Sequence, residues 1–224
     1  MKLLALDTST ENCSLALWLE GEVISRQVLA GQRHSDLVLP MLAELLETTG
    51  LELRELDGIA FGEGPGSFTG LRIGCGVAQG LAFGADIPVL GISTLLALAA
   101  AAAGKRVIAC LDARIGEIYH AAYEQRAGVW HTVREPSLGY AQNAPELDGS
   151  DWTGIGSGFA AYGEALQQRY AGQLVSIDGS VYPQASEMVK LAVPLFEQGL
   201  GQDAALAAPL YIRNKVALKM GERK

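Results

Sequence analysis

Two apolar runs of the same build, each closed by an aspartate, constrain this 224-residue chain more than any other feature. Lys2-Leu3-Leu4-Ala5-Leu6 ends at Asp7, and Arg106-Val107-Ile108-Ala109-Cys110-Leu111 ends at Asp112, close to half the chain further on. Short continuous apolar runs read as buried strands. A polar turn follows each aspartate and leads into a hairpin. In the first half Cys13 to Leu19 turns at Glu20-Gly21-Glu22 into Val23 to Leu29; in the second, Ile118 to Tyr123 turns at Arg126-Ala127-Gly128 into Val129 to Val133. The repetition predicts an internal duplication, two lobes each opening β-turn-β-β. Chance similarity between two hairpins of an α/β chain is the competing reading.

The rest of the pattern alternates strands and helices. A helix is expected over Ser35 to Thr49, stopped by Gly50, then a strand from Asp57 to Phe61 and a Gly-rich turn from Gly62 to Gly66. A small-residue helix over Phe68 to Gly84, a strand from Ile87 to Ile92 and an Ala-rich helix from Thr94 to Ala103 complete the first half. The second half adds a strand at Trp152 to Ile155, a helix over Gly158 to Tyr170 and another over Gln184 to Gln198, bent or interrupted at Pro194. The expected division is an N-terminal lobe, 1–103, rejoined by the C-terminal segment 208–224, and a C-terminal lobe, 104–207.

Half the residues are apolar (49%), enough to build a core and to exclude disorder. Seventeen Lys and Arg against 25 Asp and Glu leave a net charge of −8, a poor basis for binding nucleic acid alone. Cys13, Cys75 and Cys110 are too few and too far apart for a disulfide framework or a zinc knuckle. Met1-Lys2 runs straight into a strand, and the longest uncharged run, Ile87 to Gly104, is broken by Pro88, Gly91, Ser93 and Thr94. The expectation is a soluble cytoplasmic protein with no membrane partner.

Asp7-Thr8-Ser9-Thr10 places a carboxylate and three hydroxyls on a strand-to-strand turn. In a two-lobed fold such a turn can aim N–H groups and hydroxyls at a phosphate while the aspartate holds a metal through water, with Asp112 facing it. Equally, the hydroxyls can satisfy the turn's own backbone. Gly154-Ile155-Gly156-Ser157-Gly158 before a helix could approach a nucleotide closely. The glycines at 62, 64, 66 and 70 are no P-loop, since no Gly-Lys-Ser/Thr follows; an anion at the helix start or simple close packing accounts for them, with Ser67 as N-cap. His34, His120 and His131 are isolated, so no metal site is read and no nucleophile or general base declares itself.

On the helix near Ser35, Leu37, Val38, Leu39, Met41, Leu42, Leu45 and Leu46 span an arc of roughly 200°, twice what one core-facing stripe needs. The helix after Phe68 is lined with small residues. Together they suggest an oligomer interface through Leu37, Val38, Met41, Leu42, Leu45, Ile73, Val77 and Leu81, with Leu42 and Leu45 facing outward. Burial of both helices inside one domain is the alternative.

The segments MKLLALDTSTENCSLAL, HSDLVLPMLAELL, GEGPGSFTGLRIGCGVAQGLA, GISTLLALA, LDARIGEIYHAAY and PLYIRNKVA closely resemble the bacterial TsaB (YeaZ) family. The resemblance implies an actin-like (hexokinase/Hsp70, ASKHA) α/β fold of two duplicated lobes. It implies a non-catalytic scaffold or dimerisation subunit in the attachment of threonylcarbamoyl to adenosine 37 of tRNAs reading ANN codons. The implied partners are a TsaD-like catalytic paralogue and a TsaE-like ATPase, with tRNA met only within the complex and a homodimer when the chain is alone. ATP and metal belong to the partners; this subunit requires no cofactor. TsaD-like chains carry a metal-binding His-x-x-x-His where this one has Ser93 and Ala97, which cannot ligate a transition metal as imidazoles do. The cleft of Asp7, Thr8, Ser9, Thr10 and Asp112 is then vestigial. An actin-fold enzyme, a small-molecule kinase or a metallopeptidase, is the reading from another class; phosphoryl transfer would need a base and metal-holding carboxylates in both lobes.

Overall fold

The computed structural model describes residues 1–213. Its first sheet is built from β1 (Lys2–Asp7), β2 (Asn12–Leu19), β3 (Glu22–Leu29), β4 (Gly58–Gly64) and β5 (Val89–Ser93), in the order β3-β2-β1-β4-β5. The second contains β6 (Arg106–Arg114), β7 (Glu117–Arg126), β8 (Val129–Tyr140), β9 (Trp152–Ile155) and β10 (Leu174–Asp178), in the order β8-β7-β6-β9-β10. Strand for strand the orders are the same. In both, the first three strands form an antiparallel meander and the last two join in parallel. Two chance hairpins would not reproduce a five-strand order with its directions, so the chain is duplicated.

Helices cover both faces of each sheet, which is why β1 and β6 read as unbroken apolar runs. α1 (His34–Thr49) and α2 (Phe68–Ala85) close one side of the first sheet, where Leu4, Leu6, Leu15 and Phe61 meet Val38, Leu42, Leu45 and Ala78. α4 (Ser157–Arg169) closes the outer side of the second, with Ile108, Cys110 and Trp152 against Phe159 and Leu166. The two helices that end the repeats cross over. α3 (Thr94–Ala100) follows the first sheet yet packs Leu95 and Leu98 under Val107, Ala109 and Tyr123 of the second. α5 (Ala185–Glu197) follows the second sheet yet packs Met188, Val189 and Ala192 under Leu3, Ala5 and Ala60 of the first. Residues 185–197, assigned from sequence to the lobe 104–207, therefore lie on the first sheet.

Local chemistry sets the boundaries. Gly50 ends α1 at φ 68°, its N–H on the Glu47 and Leu46 carbonyls, the left-handed stop that glycine tolerates best. β8 runs well past its expected end at Val133 and across Pro136, because it is an edge strand and a missing N–H there breaks no ladder bond. β4 continues beyond Phe61 to Gly64, β6 beyond Asp112 to Arg114, and α5 runs through Pro194 as one helix. β10 was not anticipated.

Candidate functional site

Asp7 ends β1 and is fully buried. Its Oδ1 accepts from the Ser9 N–H at 3.1 Å and the Ser9 hydroxyl at 2.8 Å. Its Oδ2 has no partner among the described residues and lies against Gly62 of β4, where any Cβ would collide with it. Burial raises the Asp7 carboxyl from its ordinary 3.8 to about 6, against the lowering pull of the Ser9 bonds. The other hydroxyls of the turn are also engaged: Thr8 donates to the Gly70 carbonyl at 2.7 Å, and Thr10 accepts from the Asn12 N–H at 3.3 Å. The Gly-rich segment lies directly on this turn. Ser67 N–H donates to the Ser9 carbonyl at 2.7 Å, and a Cβ on Gly66 or Gly74 would stand 2.5 Å from the Ser9 carbonyl or 2.6 Å from the Thr8 hydroxyl. These glycines serve close backbone approach. They bring α2 down onto the turn, whose hydroxyls are all engaged while Asp7 Oδ2 is left without a partner among the described residues.

Asp112 reaches the same mouth from the second lobe. Its Oδ1 accepts from the Arg114 N–H at 2.8 Å and the Tyr162 hydroxyl at 3.3 Å, its Oδ2 from Arg114 Nη1 at 3.2 Å. Arg114 Nη2 continues across the mouth to Glu11 Oε1 at 2.7 Å. The two turns are thus joined through a guanidinium. Neither Arg114 nor Glu11 was singled out from sequence, although Asp-x-Arg at a strand end was a legible hint. The loop before α4 is packed in the same manner as the first: a Cβ on Gly158 would stand 2.7 Å from Cys110 Cβ.

Ser93 and Ala97, which the sequence reading set against a His-x-x-x-His pattern, have structural work. The Ser93 hydroxyl accepts from the Leu96 N–H at 3.4 Å, capping α3, and lies 3.4 Å from the Tyr123 hydroxyl of the second lobe. Ala97 is fully buried against the face that α5 covers. Among the described residues no three His, Cys, Asp or Glu side chains converge on a point that could hold a metal ion.

The α1–α2 face differs from its expected composition. Val38, Leu42 and Leu45, expected at the interface, are buried on their own sheet. They form the middle of the apolar arc, and the middle is what the core takes. Outward-facing residues come from its edges and beyond: Leu39 is 51% exposed, and Pro40 and Ala43 are also exposed. Leu37 and Met41 are half-buried, as are Ile73, Val77 and Leu81 on α2. Beside them Gly76, Gly80 and Gly84 recur every four residues with nothing within 4 Å of where a Cβ would stand, and Phe83 is 79% exposed.

Comparison with known proteins agrees with this architecture. The family model described as TsaD, tRNA N6-adenosine threonylcarbamoyltransferase, matches residues 21–220. The tRNA threonylcarbamoyladenosine biosynthesis protein TsaB of Escherichia coli is 40% identical over 98% of this chain and 97% of its own length. Its Haemophilus influenzae counterpart is 37% identical over 98% of this chain and 96% of its own. A solved structure, YeaZ from Pseudomonas aeruginosa, superposes with a TM-score of 0.87 at 40% identity, covering 94% of this chain and 99% of that one. The two mixed sheets with crossing helices are accordingly the actin-like fold, and the chain belongs to the TsaB (YeaZ) family of tRNA threonylcarbamoyladenosine biosynthesis proteins.

Proposed function

We propose that within threonylcarbamoyladenosine synthesis this chain is a non-catalytic platform. It carries a TsaD-like catalytic paralogue on α1 and α2, works beside a TsaE-like ATPase, and meets tRNA only in that assembly, in the cytoplasm. The observation that carries the reading is the outer face of α2. Gly76, Gly80 and Gly84 leave a flat track on which another helix can approach closely, with Phe83 of α2 and Leu39 of α1 also exposed. The same face serves a second copy of the chain when the paralogue is missing. Large apolar side chains buried there would supply roughly 1.5–3 kcal/mol each.

The interlobe residues support the platform reading over a kinase or metallopeptidase. Asp7, Thr8, Ser9, Thr10 and Asp112 hydrogen-bond within the chain, and Ser93 and Ala97 offer no imidazole. Neither ATP nor a metal is required by this subunit, and no described helix is long and apolar enough to cross a membrane. The test is co-elution of purified chain with the paralogue. Leu39→Glu and Gly80→Leu should keep the fold, since both sites face outward, and lose the partner. Retained co-elution would move the interface elsewhere, and micromolar ATP binding with turnover by the lone chain would favour the kinase.

A further inference from the structure

The tip of the β6–β7 hairpin holds three consecutive residues in the left-handed region: Arg114 at φ 64°, Ile115 at 56° and Gly116 at 80°. For the two with side chains this conformation is sterically unfavourable, so contacts must over-determine it. Those contacts come from two guanidinium groups, one on each side. From within the tip, Arg114 grips Asp112 behind it and Glu11 of the first lobe ahead of it, at 3.2 and 2.7 Å. From outside, Arg213 Nη2 donates to the Ala113 carbonyl at 2.9 Å and pairs with Glu117 Oε2 at 2.9 Å, both side chains mostly sheltered.

Arg213 stands at the end of a segment anchored to the first lobe. Gln202 pairs in both directions with Val89 of β5, at 2.9 and 2.8 Å, and Leu210 N–H donates to the Glu63 carbonyl of β4 at 2.7 Å. The Tyr211 hydroxyl accepts from Arg72 of α2 at 2.9 Å, its ring 5.4 Å from that of Phe68. One residue later Ile212 packs into the second lobe's core. The chain thus crosses from one lobe to the other and at Arg213 reaches the hairpin that Arg114 already ties.

We propose that Ala113–Glu117 is an interlobe clasp. Arg114 and Arg213 pin the second lobe's hairpin to the first lobe's Asp7 turn and to the C-terminal segment, hold the lobes at one angle and keep the two aspartate turns shut against a polyphosphate. Arg114 is exposed, and its bridge alone is weak; Arg213 is sheltered, and the two act at one tip, so losing Arg114 loosens the first lobe's turn and losing both parts the lobes. An entering polyanion would have to pull Arg114 from two carboxylates and then face them. The clasp does not depend on what covers α1 and α2.

Cys13, Cys75 and Cys110 are buried, so spin labels on Gln27→Cys in the first lobe and His131→Cys in the second report the interlobe distance cleanly. The full chain should give one narrow distance that ATP and Mg²⁺ do not move. Arg114→Ala with Arg213→Ala should broaden and lengthen it and speed hydrogen exchange over residues 9–13 and 112–118 on the order of tenfold, the sum of two such bridges. Lysine at both positions should restore much of the wild-type distribution. A folded double variant with unchanged distance and exchange overturns the clasp. Should the double variant fail to fold, Arg114→Ala alone must speed exchange over 9–13; protection there at the wild-type level overturns the proposal equally.

Discussion

Thr8 and Gly70 touch across the junction of the first turn and α2: the Thr8 hydroxyl donates to the Gly70 carbonyl at 2.7 Å, and a Cβ on Gly70 would overlap the Thr8 carbonyl oxygen. On the opposite side of the same helix Gly76 and Gly80 have open space. One substitution should therefore have opposite signs along one helix. Gly70→Ala forces a backbone shift and should lose about 1–3 kcal/mol. Gly76→Ala and Gly80→Ala gain helix propensity with no clash and should stabilise the isolated chain by about 0.5–1 kcal/mol. Urea denaturation of the three variants reads this directly, and a stabilised Gly70→Ala would refute the close-approach account.

Asp7 sets a pH dependence whose sign is unusual for a carboxylate. Its pKa is raised in the folded chain, to about 6 from 3.8, so the native state binds more protons than the unfolded chain between those values. Its contribution is best below pH 4, declines as pH rises, and is a full penalty above pH 6, roughly 3 kcal/mol at most for a shift of this size. Asp7→Asn keeps an acceptor for Ser9 and removes the charge. It should be more stable than wild type at pH 7.5, with the gain vanishing toward pH 4. Equal stability at both pH values would mean that Asp7 is not held in this way.

His120 opposes it. Burial, with the Arg134 charge second, lowers its pKa to about 4, so it is neutral in the folded chain and its contribution is lost as pH falls from 6.5 toward 4. Its Nε2 lies 2.7 Å from the Tyr170 hydroxyl, which also reaches the Pro145 carbonyl at 2.9 Å, while its Nδ1 has no partner among the described residues. Tyr170→Phe leaves the imidazole with neither nitrogen bonded to a described residue and should cost about 1–3 kcal/mol. Calorimetry at pH 7.5 checks it; an unchanged melting temperature would show the pair to be energetically idle.

The duplication was legible because strands buried on both faces must be apolar throughout, and two such runs ending in aspartate stand out. Crossing of α3 and α5 was not legible: an apolar stripe says that a helix is buried, not under which sheet. β10 escaped because Leu174–Asp178 is a short, mostly exposed edge strand with no sustained alternation. The outward choice of Leu42 and Leu45 failed for a geometric reason, since the centre of a wide apolar arc faces the core and only its margins remain for a partner. At the interlobe turns the residue types were legible, and the sequence left both uses of their hydroxyls open. Whether Thr8 aims at a phosphate or at Gly70 depends on a contact between segments 62 residues apart.

Transfer RNA should bind this chain poorly when it is alone. Its net charge is −8, and many of its cations are already paired: Lys2 with Glu55, Arg26 with Glu44, Arg106 and Arg126 with Glu124, Arg169 with Glu146, Lys190 with Glu187. The densest basic cluster in the sequence is Arg213, Lys215, Lys219, Arg223 and Lys224. Its last four members lie outside the described residues, and Arg213 is engaged with Ala113 and Glu117. Phosphate recognition needs a broad positive face and shows a steep dependence on salt. Affinity should therefore rise sharply when the proposed TsaD-like partner is added at constant salt, and depletion of this chain in cells should remove threonylcarbamoyladenosine from tRNA. Tight, salt-sensitive binding by the lone chain would overturn the charge argument, whereas unchanged modified nucleoside after depletion would show that this chain is dispensable to the pathway.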